Sequence, residues 1–274
     1  RCRRDRGGLG SGPRLVIDLG VELDLARRLA DLADAVTLAP FRARNFTTER
    51  KQDRTEVTEI DRETERLLTS ALLDERPDHG IYGEEHGEQG RPNSEWTWVL
   101  DPIDGTSNFT RGVPVWATLI SLVHADAGPV VGVVSAPALA RRWWAARGLG
   151  SFADGHRISV STIDDISSAQ VSITFNDGWE RAGLTAALVD LQRRAYRTRG
   201  FGDFWQHMLV AEGAIDVAVD AIGLGAYDNA AIQIIVEEAG GRHTDRFGTR
   251  DFRQDSAIST NGLLHTSVIE SLRL

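Results

Sequence analysis

The sequence contains very little sulfur and no long apolar run. Among 274 residues there is one cysteine, Cys2, and one methionine. A single cysteine excludes an internal disulfide and a zinc site built from several thiolates, and it favours a reducing compartment. No apolar run approaches the roughly 18 residues that a membrane-spanning helix needs, and no basic segment followed by an apolar one opens the chain. We therefore expect a soluble, cytoplasmic protein with no membrane partner.

The chain has more acidic than basic residues, which gives a formal net charge of −9. A nucleic-acid binder needs a basic surface, so this balance argues against a nucleic-acid partner. An anionic substrate would be repelled unless cations lay in its site. The arginine- and glycine-rich residues 1–15 have no apolar periodicity, and we predict a disordered leader there.

Apolar spacing in the first half predicts two amphipathic helices followed by strands. Apolar residues recur at helical spacing from Asp18, and we expect Pro40 to close this first helix. A second predicted helix begins after "KQDRTEVTEID" and ends at "RPDHG". Strand-like runs follow at residues 81–82, 96–100, 116–123 and 129–136. This order predicts helices packed on a mostly antiparallel sheet.

The second half alternates between strand and helix patterns. Asp154 and Gly155 form a two-residue turn signal that predicts a hairpin. Strand candidates at 171–175, 196–200 and 214–220 alternate with helix candidates near 184–194, 204–213 and 228–239. This alternation is typical of an α/β arrangement. We predict an α+β half over residues 16–145 and an α/β half over 146–274, with a cleft between them.

Acidic residues follow several of the predicted strands. They are Glu84 and Glu85 in "GEE", Asp101 and Asp104 in "DPIDGT", and Asp228 in "YDN". Two carboxylates about 4 Å apart repel each other by about 4 kcal/mol at an effective dielectric constant near 20. No Lys or Arg lies within six residues of the "DPIDGT" pair. Because carboxylate oxygens suit Mg²⁺ or Mn²⁺ better than zinc, the sequence predicts a metal site.

Each acidic residue also has a purely structural interpretation. Asp228 could be the N-cap of a helix, and Asp203 could cap a helix that begins at Phe204. Thr58 and Asp61 fit a capping box. The stretch "GEEHGEQG" could be a solvated loop. The pair in "DPIDGT" is the hardest to explain in this way.

The order of "GEE", "DPIDGTSNF", "YDNAA" and "EEAGG" resembles the inositol monophosphatase superfamily of Mg²⁺-dependent, lithium-sensitive phosphatases. The resemblance covers nearly everything after about residue 20, and "DPIDGT" is its most specific part. It implies an α+β and α/β fold, a layered αβαβα sandwich of the inositol monophosphatase and fructose-1,6-bisphosphatase type. It also implies a homodimer. "KQDRTEVTEID" is similar to an upstream block of that family, with Lys51 and Asp61 at matching positions.

The resemblance also implies which residues bind metal. Two to three Mg²⁺ ions, with Mn²⁺ as an alternative, would occupy the site. Glu84, Asp101 and the carbonyl of Ile103 would hold the first ion. Asp101, Asp104 and Asp228 would hold the second, and a weaker third ion would lie near Glu84. Four carboxylates and a phosphate dianion sum to about −6, which three divalent ions would neutralise.

Catalytic and phosphate-binding roles follow from the same resemblance. Thr106, oriented by Asp61, would help Glu84 activate the attacking water. The backbone amides of Gly105 and Thr106 would bind phosphate oxygens. Tyr227 stands where the family usually has tryptophan, and Asn229 stands where a small or apolar residue is typical. Both departures affect local packing rather than metal ligation.

Within the superfamily, "RGVPVWATLISLV", "GVVSAPALARRWWAARG" and "GFGDFWQHMLVAEGAIDVA" resemble the histidinol-phosphatase branch most. Asp203 takes a position where inositol phosphatases tend to have a small residue. A carboxylate there would favour a substrate with a cationic amine or imidazole, and Asp220 would add to this acidic pocket. We therefore predict hydrolysis of L-histidinol phosphate, a small phosphorylated metabolite. Inositol 1-phosphate, or a broad range of sugar and nucleotide phosphates, is the alternative.

The sequence argues against two other classes of function. Haloacid-dehalogenase phosphatases use an aspartate nucleophile in a D-x-D-x-T loop, whereas the spacing here is D-x-x-D-G-T. A non-catalytic homologue that binds only metal or an anion is the other alternative. The presence of both Thr106 and Asp61 argues against it.

Overall fold

The structure is a computed structural model that describes residues 17–50 and 56–273. Lys51 and the predicted leader at residues 1–15 lie outside the described residues. The helices are α1 (Leu19–Ala43), α2 (Glu59–Glu75), α3 (Thr106–Arg111), α4 (Asp177–Arg181), α5 (Thr185–Arg194), α6 (Asp203–Ala211), α7 (Ala226–Glu238) and α8 (His265–Ser271). The strands are β1 (Thr48–Arg50), β2 (Glu56–Thr58), β3 (Gly80–Gly83), β4 (Gly87–Gly90), β5 (Trp96–Asp104), β6 (Ala117–His124), β7 (Gly128–Ala136), β8 (Arg141–Ala146), β9 (Gly150–Ala153), β10 (His156–Arg157), β11 (Gln170–Ile173), β12 (Arg197–Arg199), β13 (Val217–Ile222), β14 (Arg242–Thr244) and β15 (Ser256–Thr260).

Two large sheets organise the molecule. The first has eight strands in the order β10-β9-β8-β7-β6-β5-β3-β4, and only its β3–β5 pair is parallel. The second has five strands in the order β12-β11-β13-β15-β14, in which β11 runs parallel to both of its neighbours. β1 and β2 form a separate two-stranded ribbon. The predicted mostly antiparallel first sheet is therefore confirmed.

Helices cover the faces of both sheets and give five layers. α1 and α2 pack on one face of the eight-stranded sheet, with an apolar core that includes Leu29, Leu68 and Trp98. α6 and α7 fill the space between the two sheets. α4, α5 and α8 cover the far face of the five-stranded sheet around Trp179 and Leu188. This is the predicted αβαβα sandwich.

Helix α1 is longer than the sequence pattern predicts, because Pro40 lies inside it. Asp18 caps its start by accepting a hydrogen bond from the Gly20 N–H at 2.9 Å. A proline removes one helical hydrogen bond, yet the helix continues to Ala43 because Phe41 is buried against Phe109 and Trp116. The prediction that Pro40 closes the helix was therefore wrong. No helix in the described part of the chain is both long and apolar enough to cross a membrane.

The predicted hairpin in the middle of the chain is confirmed. Asp154 and Gly155 connect β9 to β10 with φ values of 50° and 88°. Positive φ at both positions matches the twist of the flanking strands, which is why asparagine, aspartate and glycine dominate such turns. The large sheet continues through this hairpin to Arg157. The division of the chain at residue 146 stays a prediction.

Candidate active site

A bulge in β5 brings the two aspartates of "DPIDGT" to one side of the sheet. Asp101 pairs with Leu119 and Asp104 pairs with Ala117, so three residue steps on β5 match two on β6. In a regular strand, residues three apart point to opposite faces, and one extra residue removes this alternation. We expected the strand to end at residue 100, but it continues to Asp104. The aspartates therefore lie in the paired end of the strand.

Helix α7 brings a third aspartate to the same place. Carboxylate oxygens of Asp101, Asp104 and Asp228 all lie within 4.8 Å of one another. Oδ1 of Asp101 is buried and has no hydrogen-bond partner. A buried acceptor without a partner is costly, and a bound cation would satisfy it. This cluster fits a hard divalent ion.

Burial gives these carboxyl groups unusual acidities when no cation is present. It raises the pKa of Asp101 well above 3.8, and the neighbouring charges of Glu84 and Asp104 raise it further. Burial likewise raises the pKa of Asp104, with Asp203 as the next cause. The pKa of Asp228 rises to about 7, mainly through burial and then through Glu84. Cations would reverse these shifts by stabilising the ionised form.

Glu84 faces the same cavity from the turn between β3 and β4. Its backbone N–H donates to Leu100 O at 3.2 Å, which ties the turn to the neighbouring strand β5. Glu84 lines the cavity together with Asp101 and Asp228. The close three-carboxylate cluster consists of the aspartates, and Glu84 lies beside it.

Thr106 joins the metal cluster to helix α2. Its Oγ1 lies 3.0 Å from Ile103 O and 3.2 Å from Asp61 Oδ1. Asp61 is fully buried, and its Oδ2 accepts hydrogen bonds from the backbone N–H and the hydroxyl of Thr58. Burial raises the pKa of Asp61 to about 6. The predicted capping box is present, and the same aspartate also contacts Thr106.

Gly105 is the N-cap of α3 and has a left-handed backbone, with φ of 82°. A Cβ atom at this position would lie 3.0 Å from Val115 O and 3.4 Å from Asp203 Oδ2. The positive φ angle favours glycine, and a side chain here would also be tightly packed. Gly105 lies at the wall of the cavity, directly before the start of α3 at Thr106.

The cavity around this cluster has a volume of about 410 Å³ and is open to solvent. Its lining contains every residue predicted to hold metal. The lining residues are Arg50, Glu56, Glu84, Asp101, Ile103, Asp104, Gly105, Thr106, Ser107, Arg111 and Asp228. Arg50 and Arg111 were not singled out from the sequence.

A smaller acidic recess of about 80 Å³ adjoins the cavity and shares Asp104 and Asp228 with it. Asp203 and Asp220 both line this recess. The pKa of Asp203 rises to about 7, mainly through burial and then through the charge of Asp220. The two residues predicted to recognise a cationic substrate therefore lie together beside the metal cluster.

Two residues that the sequence analysis missed hold these carboxylates in place. Asn108 Nδ2 donates to Asp203 Oδ2 at 2.7 Å. His207 Nε2 lies 2.9 Å from Asp220 Oδ2, and its Nδ1 lies 2.8 Å from the hydroxyl of Ser259. His207 contacts Asp220, which is 13 residues away on β13, so its role depends on the packing of α6 against that strand and had no helical-spacing signal.

The structural interpretations of Asp203 and Asp228 as N-caps were wrong. α6 begins at Asp203 with Gly202 as its N-cap, and Asp104 Oδ2 accepts the backbone N–H of Phe204 at 2.7 Å. Asp228 is the third residue of α7, where Oδ2 accepts the Gly225 N–H. Asp104 thus joins the metal cluster to the helix that carries Asp203.

The departures from the family pattern change packing near the site. The Tyr227 ring lies 6.3 Å from that of Tyr82 and leaves no room for a side chain at Gly225. Asn229 Nδ2 donates to Gly225 O and to Gln254 O. Both residues therefore support the start of α7, which carries Asp228. Trp143 is fully buried in the layer between the sheets and does not line the cavity.

The layered fold and the acidic cavity together define the class of phosphoric monoester hydrolases that work with metal ions. The chain belongs to the inositol monophosphatase family, whose sequence model matches residues 21–273.

Individual relatives agree with this assignment. Histidinol-phosphatase from Mycobacterium tuberculosis is 46% identical over 256 residues, which are 92% of this chain and 97% of that protein. Histidinol-phosphatase from Streptomyces coelicolor is 44% identical over 256 residues, 90% of this chain and 95% of that protein. The crystal structure of extragenic suppressor protein suhB from Bartonella henselae superposes with a TM-score of 0.85 at 26% identity, covering 92% of this chain and 98% of that chain.

Proposed function

We propose that this protein is a Mg²⁺-dependent phosphatase that hydrolyses L-histidinol phosphate to L-histidinol and phosphate, a step of histidine biosynthesis. The observation that carries the proposal is the acidic recess of Asp203 and Asp220 directly beside the three-aspartate cluster. A phosphate at the cluster and a cationic group in the recess match the two ends of this substrate. Two relatives with 44–46% identity are named histidinol-phosphatase.

The metal ligands proposed are Glu84, Asp101, Ile103 O, Asp104 and Asp228. Two to three Mg²⁺ ions, or Mn²⁺, fit the donor set because every donor is oxygen. When bound, such ions neutralise the phosphate and lower the pKa of a coordinated water. The unsatisfied Oδ1 of Asp101 supports a cation at this place.

Asp61, Thr106 and Glu84 would handle the proton of the attacking water. Thr106 can donate its single hydroxyl proton to Asp61, at 3.2 Å, which leaves its oxygen free to accept a hydrogen bond from water. Glu84 would act as the general base. The backbone amides of Gly105 and Thr106 would hold phosphate oxygens at the start of α3.

Asp203 and Asp220 would select the substrate by charge. A charge-assisted hydrogen bond in a buried site contributes about 1.5–3 kcal/mol. Inositol 1-phosphate has no cation to place there, so the recess would favour a substrate with an amine or imidazole. Family resemblance further supports a lithium-sensitive homodimer, and the single cysteine supports a cytoplasmic location.

The test is a comparison of kcat/KM for histidinol phosphate, inositol 1-phosphate, fructose 1,6-bisphosphate and adenosine 3′,5′-bisphosphate, each with Mg²⁺ and with EDTA. We expect Mg²⁺-dependent phosphate release, fastest for histidinol phosphate. No release from any of the four would favour a non-catalytic homologue. Inversion at a chiral isotopic phosphate would support direct attack by water, whereas retention would indicate a phospho-aspartate.

A further inference from the structure

Helix α2 carries a second buried carboxylate that the proposed mechanism does not use. Glu65 lies one turn after Asp61 and is fully buried. It accepts hydrogen bonds from the backbone N–H groups of Glu85 at 2.8 Å and His86 at 2.9 Å. Nδ1 of His86 also lies 2.9 Å from Glu65 Oε1. All three contacts come from the turn between β3 and β4, which contains Glu84.

This turn lies so close to Glu65 that only glycine fits at its first position. A Cβ atom on Gly83 would lie 2.2 Å from Glu65 Oε1 and 2.3 Å from its Cδ. The φ angle of Gly83 is not positive, so the glycine is needed for space and not for backbone freedom. The carboxylate is thus packed directly under the backbone that leads into Glu84.

Helix α2 therefore contacts two of the three segments associated with the proposed metal ligands, the start of α3 next to β5 and the turn between β3 and β4. Asp61 reaches Thr106, which follows the bulge of β5. Glu65, four residues later, reaches the turn that follows β3. Residues four apart lie on the same face of a helix, about 6 Å from each other. One face of α2 thus contacts both of these segments.

We propose that Glu65 is a positioning residue for the metal site. By fixing the turn between β3 and β4, it would hold Glu84 at the wall of the cavity, where Glu84 would serve as a ligand of the ions. Glu65 does not line the cavity and contacts the turn instead, so its proposed role is exerted through the turn. The inference rests on the proposed metal site. Partners that orient a metal ligand typically change metal affinity by about 10- to 100-fold when they are replaced.

The test is Mg²⁺ binding by calorimetry to the substrate-free protein carrying Glu65→Gln. Glutamine keeps the shape of glutamate, but an NH₂ group replaces one of its two acceptor oxygens. It therefore cannot accept one backbone hydrogen bond at each terminal atom, as Glu65 does. We expect Mg²⁺ affinity to fall about 10- to 100-fold, with kcat largely restored at saturating Mg²⁺. Glu63→Gln, the same change on the exposed face of α2, is the matched control and should bind Mg²⁺ like the wild type.

Three comparisons separate the possible failures. Absence of Mg²⁺ binding by the wild type would refute the metal site itself. If Glu84→Gln weakens Mg²⁺ binding but Glu65→Gln leaves it unchanged, the positioning role alone is refuted. This holds whatever the melting temperature of the Glu65→Gln variant. Should Glu65→Gln not fold, His86→Ala removes one contact from a half-buried side chain. It should weaken Mg²⁺ binding several-fold, and unchanged affinity there would overturn the proposal.

Discussion

At the scale of single residues, the site depends on carboxylates that the protein buries without enough donors to satisfy them. Asp101 has an acceptor oxygen with no partner, and Asp104 has one backbone donor, from Phe204. Such an arrangement is unfavourable by itself, which is why it indicates a ligand with positive charge. The sequence predicted these residues because two aspartates at the end of a buried strand had no structural explanation.

Replacing a proposed metal ligand by its amide should remove activity and leave the fold intact. Asp104→Asn keeps an oxygen for the Phe204 N–H but loses the charge. Glu84→Gln removes the proposed base as well as a ligand. We expect kcat/KM to fall by about 10²–10⁴-fold in either variant, measured by phosphate release. Asp74→Asn, on the exposed face of α2, should keep wild-type activity, and near wild-type turnover in Asp104→Asn would refute the metal assignment.

Replacing Asp203 should affect one substrate and not another. Asp203→Asn keeps an oxygen that can accept from Asn108 but removes the charge of the recess. Loss of about 1.5–3 kcal/mol corresponds to a rise in KM for histidinol phosphate of about 10- to 100-fold. KM for inositol 1-phosphate should change little. Equal effects on both substrates would show that Asp203 does not recognise a cation.

At the scale of elements, periodicity predicted most helices and strands but not how they pair and pack against one another. The apolar periodicity that predicts α1, α2 or β6 lies entirely within that element's own stretch of sequence. The bulge of β5 depends on its pairing with β6, and the cap that Asp104 provides for α6 joins residues 100 positions apart. Long-range contacts of this kind leave no local signal. The clustering of Asp203 and Asp220 was predicted only because their charge suggested a shared ligand.

The aromatic cluster under α3 should support both stability and activity. Phe41 packs against Phe109 and Trp116, and Ile103 belongs to the same cluster. Phe41→Ala should lower the free energy of unfolding by about 3–5 kcal/mol in urea denaturation. It should also reduce kcat, because α3 begins at Thr106. Leu32→Ala, at an exposed site on the same helix, should change stability by less than about 0.5 kcal/mol. Similar losses for the two variants would contradict the role of this cluster.

At the scale of the whole molecule, stability should depend on pH in a direction set by the acidic site. Burial raises the pKa of Asp61 to about 6 and that of Asp203 and Asp228 to about 7, whereas these groups ionise near 3.8 in an unfolded chain. Between about pH 4 and pH 7 the metal-free folded state therefore keeps protons that the unfolded state has lost. The acidic site therefore makes the free energy of unfolding fall as pH rises through this window, against the opposite contribution of His79, His243 and His265, whose pKa values burial lowers.

Melting temperatures measured in EDTA across this window should decrease with rising pH. Excess Mg²⁺ should raise them most at the upper end, because ions stabilise the ionised carboxylates in the folded state alone. A metal-free melting temperature that rises between pH 4 and pH 7 would contradict this reading of the site.

The four-residue interval between Asp61 and Glu65 also limits how this chain can change during evolution. Inserting or deleting one residue there would rotate everything beyond it by about 100° around the helix axis, turning Glu65 away from the β3–β4 turn. Outward-facing positions such as Glu63 and Arg66 can vary in chemistry at little cost. Related sequences should therefore vary at the outward-facing positions of this helix, yet align through the segment from Asp61 to Glu65 without gaps.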